Sequence, residues 1–74
     1  MIDLRNKKYE IILRDYCVYI KYYKRIIDIN SNLVKIAFNS KILLIKGSNL
    51  MACALDEYEI VIKGNILSIE FINE

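Results

Sequence analysis

The sequence predicts an all-β fold, a small antiparallel meander of about eight short strands that is rolled or two-layered. Apolar and polar residues alternate with period two in short segments, which is typical of half-buried strands. Turn-prone Asn, Asp, Ser and Gly residues separate these segments. Fifteen of the 74 residues are Ile, whose branched side chain suits a pleated sheet. A short β-solenoid-like stack is the alternative arrangement of the same strands.

The predicted strands form one domain, residues 9–74, after a short N-terminal extension, residues 1–8. In chain order the strands cover 9–13, 17–21, 26–29, 33–38, 42–46, 50–55, 58–63 and 66–71. The sixth also fits a short helix, because it contains Ala52 and Ala54. Two turn glycines are predicted, Gly47 in a Gly-Ser-Asn turn and Gly64 in a Gly-Asn tight-turn dipeptide.

Alternation also predicts which side chains face inward. They are Tyr9, Ile11, Leu13, Val18, Ile20, Ile27, Ile29, Val34, Ile36, Phe38, Tyr58, Ile60 and Ile62. Several strands are apolar on both faces, as in the run 42–45, and such strands are usually covered on both sides. The second cover would be another layer of the same chain, another copy or a partner protein.

One short motif recurs. Residues 45–50 read IKGSNL, and residues 62–67, displaced by 17 positions, read IKGNIL. The recurrence indicates either a two-strand unit used twice or the same hairpin chemistry arising independently.

The composition excludes most catalytic and metal chemistry. The chain has no His, so it has neither a His-based proton relay nor a His-ligated metal. Two Gly are too few for a phosphate-binding Gly-rich loop, and two Cys cannot form a four-cysteine zinc site. The acidic residues are mostly scattered, and their only close group, Asp56, Glu57 and Glu59, fits a solvated turn. We therefore expect no enzyme activity, no catalytic residue and no cofactor.

The cysteines and the chain ends indicate a cytoplasmic protein. Cys17 and Cys53 each lie in an apolar run, which favours reduced core thiols over a disulfide. The N-terminus has no apolar segment of the kind a signal peptide needs. The longest uncharged run, residues 47–55, is too short for a membrane-spanning helix of about 20 residues.

A cluster of aromatic and basic residues is the main candidate for binding. Four tyrosines lie within residues 16–23, beside Lys21, Lys24 and Arg25. The cluster fits structural packing, a protein interface, or a stacking platform for nucleic acid. A net charge of +2 is low for a nucleic-acid-binding protein, so a small β-barrel that binds nucleic acid is the alternative.

A protein interface is the preferred prediction. Its predicted residues are Tyr19 and Tyr23, on one face of the second strand, with the outward pair Ile42 and Leu44. These side chains would contact a partner protein or a second copy by adding strand to strand.

Three segments resemble one known family. Residues 18–29, VYIKYYKRIIDI, resemble a segment V-x-I-x-N-Y-x-x-I-L-x-Y, and residues 43–50 resemble I-x-I-x-G-x-x-L. Residues 58–71 resemble the closing I-x-G-x-I-x-x-I-E-F. The family is the YabP/YqfC group of sporulation proteins from endospore-forming bacteria. The chain departs from it at Tyr22, where Asn is common, at Ile29, where Tyr is common, and in lacking a Pro-containing leader.

The resemblance implies a non-enzymatic role in endospore development. It places the protein in the mother cell, at the membrane surface that faces the forespore, during assembly of the spore's outer layers. It also implies a sporulation membrane protein as partner. The family pattern carries no catalytic residues that could be transferred to this chain.

Overall fold

A computed structural model describes residues 10–73 of the chain. This part is all-β and contains no helix: six antiparallel strands form one open sheet. The all-β prediction is therefore confirmed. The predicted extension, Tyr9 and Glu74 lie outside the described residues.

The sheet is built around a long central hairpin. In chain order the strands are β1 (Glu10–Arg14), β2 (Cys17–Lys21), β3 (Arg25–Ile29), β4 (Leu33–Ala37), β5 (Lys41–Asp56) and β6 (Glu59–Asn73). Their order across the sheet is β1-β2-β6-β5-β4-β3. Strands β5 and β6 thus lie in the middle, with one short hairpin on either side.

Eight strands were predicted, and six are present in the described residues because four predicted segments join in pairs. Segments 42–46 and 50–55 form β5, so the ambiguous sixth segment is strand rather than helix. Segments 58–63 and 66–71 form β6. The predicted turns at Gly47 and Gly64 are instead irregularities within these strands, with register shifts at Lys46/Gly47 and Ser48/Met51. Pairing between β5 and β6 continues on both sides of these irregularities, so neither strand reverses direction there.

The central hairpin takes part in two four-stranded halves. Residues 42–46 of β5 pair with β4 on one side, and residues 41–46 pair with residues 68–73 of β6 on the other. We call this region, together with β3, the β3–β4 half. Residues 59–63 of β6 pair with β2 on one side and with residues 51–56 of β5 on the other. With β1, these strands make the β1–β2 half.

One hydrophobic core draws side chains from both halves. Its members are Val18, Ile20, Val34, Ile36, Phe38, Leu43, Ile45, Leu50, Ile60 and Ile62. Strands β2 and β4 both contribute, although two strands separate them in the sheet. The inward prediction is confirmed for Val18, Ile20, Val34, Ile36, Phe38, Ile60 and Ile62.

The inward prediction fails mostly in the edge strands. Leu13 in β1 is 63% exposed, and Ile27 and Ile29 in β3 are 41% and 38% exposed. A bulge between Ile26 and Asp28 interrupts the alternation of β3, and an edge strand has a neighbour on one side only. Tyr58, at the β5–β6 turn, is 43% exposed.

The sheet order has an approximate two-fold symmetry that exchanges β1 with β3, β2 with β4 and β6 with β5. The recurring motif follows this symmetry. The Gly47 N–H donates to the Asn32 carbonyl at 3.1 Å, and the Gly64 N–H donates to the Tyr16 carbonyl at 3.2 Å. The two copies therefore lie at equivalent positions on the two partner strands of one hairpin.

Candidate functional site

Tyr19 and Tyr23 do not share a face. Tyr19 lies half-buried on the outer face of β2, with the Arg14 guanidinium 5.8 Å from its ring centroid. Tyr23 packs against the hydrophobic core. The residue between β2 and Tyr23 is Tyr22, whose φ is 62°. A left-handed residue breaks the strand alternation, so parity along the sequence does not carry over to Tyr23.

Ile42 and Leu44 lie on the outer face of the β3–β4 half. Leu44 is only 9% exposed and is opposite Lys35 of β4 and Glu70 of β6. Ile42 is half-buried. Tyr19 belongs to the β1–β2 half, so the structure does not bring the four predicted residues into one surface.

The other tyrosines are in different environments. Tyr22 stacks on Tyr58, with ring centroids 5.2 Å apart and planes 9° apart, and its N–H donates to the Tyr58 carbonyl at 2.9 Å. Tyr16, in the β1–β2 turn, is 78% exposed. The tyrosines of residues 16–23 therefore do not line up as a row of free rings for stacking nucleic-acid bases.

The cysteines are both free, and they differ in exposure. Cys17 is half-buried, whereas Cys53 is exposed and so is not the core thiol that was predicted. Cys17 of β2 is opposite Lys63 of β6, and Lys63 is opposite Met51 of β5. Cys53 is therefore two strands away from Cys17 across the sheet and two residues further along β5. Standard sheet spacings put the two Cα atoms about 12 Å apart. A disulfide needs less than about 7 Å, so this backbone does not allow one within the chain.

Sequence reasoning predicted binding by strand addition, but it did not locate the open strand edges. Strand β2 pairs only with residues 59–63 of β6, so within residues 10–73 no strand covers the outer edge of β6 from 66 to 73. Strand β4 pairs only with residues 42–46 of β5, which leaves residues 51–56 uncovered in the same way. We call these stretches the β6 edge and the β5 edge.

These two edges are less protected than the outer edges of β1 and β3. Natural sheets protect edge strands with charges, bulges or short length. Strand β1 carries Glu10 and Arg14 in five residues, and β3 carries Arg25, Asp28 and a bulge in five. By contrast, residues 68–73 keep an unbroken register with β5 and include one charged residue, Glu70. The β5 edge has none before Asp56.

A groove runs beside the β6 edge. Its volume is about 400 Å³, and it is lined by Leu13, Arg14 and Asp15 on one side and by residues 66–69 on the other. Ile66 and Ile69 form part of its base, since both pack against the core, while Leu67 is 72% exposed. The groove thus places apolar side chains of β6 beside backbone groups that no strand within residues 10–73 pairs with.

The symmetry-equivalent position is closed. Leu50, the counterpart of Leu67 in the recurring motif, is 5% exposed, and its N–H donates to the Ser31 carbonyl at 2.9 Å. The two sides of the sheet therefore differ: one motif leucine fills the core, and the other lies beside an open groove.

Other kinds of site are not formed by the described residues. No group of three or more His, Cys, Asp or Glu side chains in this part of the chain is placed to hold a metal ion. No helix of residues 10–73 has the length and apolar character needed to cross a membrane.

Comparison with known proteins gives no match: no protein-family model, no curated protein and no solved structure is significantly similar to this chain.

Proposed function

We propose that this protein is a non-enzymatic sporulation protein that binds another protein through its open β6 edge. Two kinds of support stand behind the proposal. The endospore role rests on the resemblance of residues 18–29, 43–50 and 58–71 to the YabP/YqfC group. The binding mode rests on the open edge of β6 beside the groove.

The edge would bind an extended segment of the partner as an additional strand. Backbone N–H and C=O groups supply affinity in this mode, and alternate side chains supply specificity. On the core-facing side the new strand would meet Ile69 and Phe71, which are in register with the core residues Ile45 and Leu43. On the outer side it would meet Glu70, which pairs with Lys46 at 3.5 Å. The best partner segment is therefore apolar at alternate positions.

The finer architecture also belongs to the proposal. We infer that the two halves pack as two layers of a bent sheet. Two observations support this: one core joins β2 to β4, and Leu13 of β1 faces residues 66–69 across the groove. In a two-layered arrangement the partner strand would extend one layer and lie against the edge of the other.

The resemblance supplies the biological setting. It points to the mother cell, at the membrane surface facing the forespore, and to a sporulation membrane protein whose extended segment occupies the edge. This contact would hold the protein at the site where the outer spore layers assemble.

Gene deletion and complementation in the native host test the proposal. Deletion should lower the number of heat-resistant spores without affecting vegetative growth, and the wild-type gene should restore the number. Leu67→Lys should fail to restore it, because the charge lies in the groove beside the edge. Tyr16→Lys, an equally exposed change in a nearby turn, should restore it.

The outcomes separate the two parts of the proposal. Normal spore numbers after deletion would refute the endospore role. Full complementation by Leu67→Lys would leave that role standing and refute the β6 edge as the binding site. The purified protein should also not bind oligonucleotides at low salt, and binding that weakens as salt rises would favour the nucleic-acid alternative.

A further inference from the structure

The β5 edge carries a second interaction surface. Residues 51–55 read Met-Ala-Cys-Ala-Leu and contain no charge, and residues 51–54 keep a regular register with β6. Met51 is 70% exposed, Leu55 is 49% exposed, and Cys53 is also exposed. An edge that is uncharged, regular and apolar is the kind that pairs with another strand.

We propose that the β5 edge pairs antiparallel with the β5 edge of a second copy, so that two chains form a dimer centred on Cys53. This interaction goes beyond the proposed partner binding and does not depend on it, because it uses the opposite edge of the central hairpin.

The sequence of the edge selects this register. With Cys53 opposite Cys53, Ala52 lies opposite Ala54, and Met51 lies opposite Leu55. The regular residues 51–54 then pair on matching faces, as an antiparallel sheet requires, and the register shift between Ala54 and Asp56 brings Leu55 beside Met51 at each end of the contact. A register centred on Ala54 would place Asp56 opposite Ala52. A register centred on Ala52 would require Leu50, which is buried and bonded to Ser31.

Charge complementarity favours a second copy of the same edge. Lys63 of β6 is exposed and lies opposite Met51, whereas Asp56 follows Leu55. In the proposed register, Lys63 of one copy and Asp56 of the other lie on the same face, about 10 Å apart between Cα atoms with Met51 between them. An extended lysine side chain can bridge this gap, and the symmetry repeats the contact. One oxygen of Asp56, Oδ1, accepts the Tyr58 N–H at 3.0 Å, which leaves Oδ2 for the lysine.

The same reasoning disfavours pairing of the β5 edge with β1 of another copy. Glu10 is in register with Lys21, Lys21 with Glu59, and Glu59 with Asp56. Extending the sheet with β1 of a second copy in that register would put Glu10 opposite Asp56. Directly opposed like charges destabilise a strand pair. A closed dimer is therefore favoured over an open filament through these edges.

The proposed contact is small. A standard interface buries about 800 Å² on each partner, and a pair of five-residue strand edges buries less than that. We therefore expect a dimer that dissociates on dilution. The joined β1–β2 halves would make a continuous eight-stranded layer across the two copies.

A cysteine cross-linking experiment tests the register directly. Opposed Cα atoms in an antiparallel pair lie about 4.5–5.5 Å apart, within the range of a disulfide. Diamide, a two-electron oxidant, accepts two electrons and two protons as two Cys53 thiols form one S–S bond. In the full-length Cys17→Ser variant, diamide should therefore produce a disulfide-linked dimer, which Cys53→Ser should abolish.

A displaced cysteine distinguishes the register from random collision. Met51→Cys in a chain that also carries Cys17→Ser and Cys53→Ser has an exposed thiol on the same edge. The proposed register separates the two copies of residue 51 by four residues along the strand, about 14 Å, which is too far for a disulfide. Its cross-linking should be at least tenfold slower than that of Cys53. Equal rates would overturn the proposal.

Light scattering after size exclusion tests the dimer without oxidation. The wild type under reducing conditions should show a mass that rises with concentration from monomer towards dimer. Ala54→Lys should remain monomeric, whereas Tyr16→Lys, an equal charge change far from the edge, should behave as wild type. Circular dichroism should show both variants folded. A wild type that is monomeric throughout, or an Ala54→Lys variant that dimerises, would refute the β5 edge as the interface.

Discussion

Gly47 and Gly64 each lie against the backbone of the other's strand. A Cβ atom at Gly47 would collide with the Asn65 carbonyl oxygen, and a Cβ atom at Gly64 would lie 2.5 Å from the Asn49 carbonyl oxygen. Gly64 also has a φ of 133°, which side chains rarely allow. This close approach lets β5 and β6 remain paired across their register shifts.

We expect Gly47→Ala and Gly64→Ala each to lower the free energy of unfolding by about 1–3 kcal/mol, because a methyl group would force the strands apart and, at Gly64, add backbone strain. Urea unfolding followed by circular dichroism measures the loss. Ser68→Ala, at an exposed position of the same strand, should change stability by less than about 0.5 kcal/mol. Alanine variants as stable as wild type would show that the strands do not approach so closely.

Leu44 and Leu67 should respond differently to the same substitution. Leu44 is 9% exposed, and Leu67 is 72% exposed. Leu44→Lys should cost about 1.5–3 kcal/mol of stability, because a buried leucine is lost. Leu67→Lys should leave stability nearly unchanged. Thermal unfolding of the two variants measures this difference, and an equal loss in both would contradict the assigned burial. Loss of function in Leu44→Lys would therefore not identify an interface.

The backbone at Tyr22 gives a prediction that separates two effects. Both Tyr22→Ala and Tyr22→Gly remove the ring stacking on Tyr58, which is worth about 0.5–1.5 kcal/mol. Glycine also relieves the left-handed backbone, which costs other residues about 1 kcal/mol. We therefore expect Tyr22→Gly to be more stable than Tyr22→Ala in chemical denaturation. The reverse order would mean that Tyr22 is not left-handed in solution.

The two thiols should differ in reactivity and should not join within one chain. Cys53 is exposed and Cys17 is half-buried, so a thiol reagent such as DTNB should modify Cys53 several-fold faster under native conditions. Single Cys→Ser variants assign the two rates. Mass spectrometry of a dilute, oxidised sample should find no intrachain disulfide. An intrachain disulfide would mean that β6 does not lie between β2 and β5 in the observed register.

The candidate site could be predicted from the sequence only in part. Alternation placed Tyr19 on the outer face, but Tyr22 reverses the pattern before Tyr23, and that conformation has no signal in a tyrosine-rich segment. The β5 edge did leave a signal, since it ends the longest uncharged run of the chain, residues 47–55. Such a run has no charge to protect an edge, but only the pairing of the strands shows that it lies at one.

The sequence by itself determined the strand segments and most of the core. Period-two alternation is a local property, so it identified β2, β4 and the buried Val18, Ile20, Val34 and Ile36 before any pairing was known. The recurring Gly motif was also visible in the sequence. The structural role of this motif was not visible there, because a glycine serves equally well in a tight turn and in a close approach of two strands.

The tertiary structure decided how the segments join and which edges stay open. Whether Gly47 ends a strand or lies within one depends on β6, whose Gly64 is more than a dozen residues away and packs against β5 at the same place. The β5 and β6 edges are open because β4 and β2 are shorter than the strands they flank. Pairing of this kind depends on contacts between distant residues, and local periodicity does not encode them.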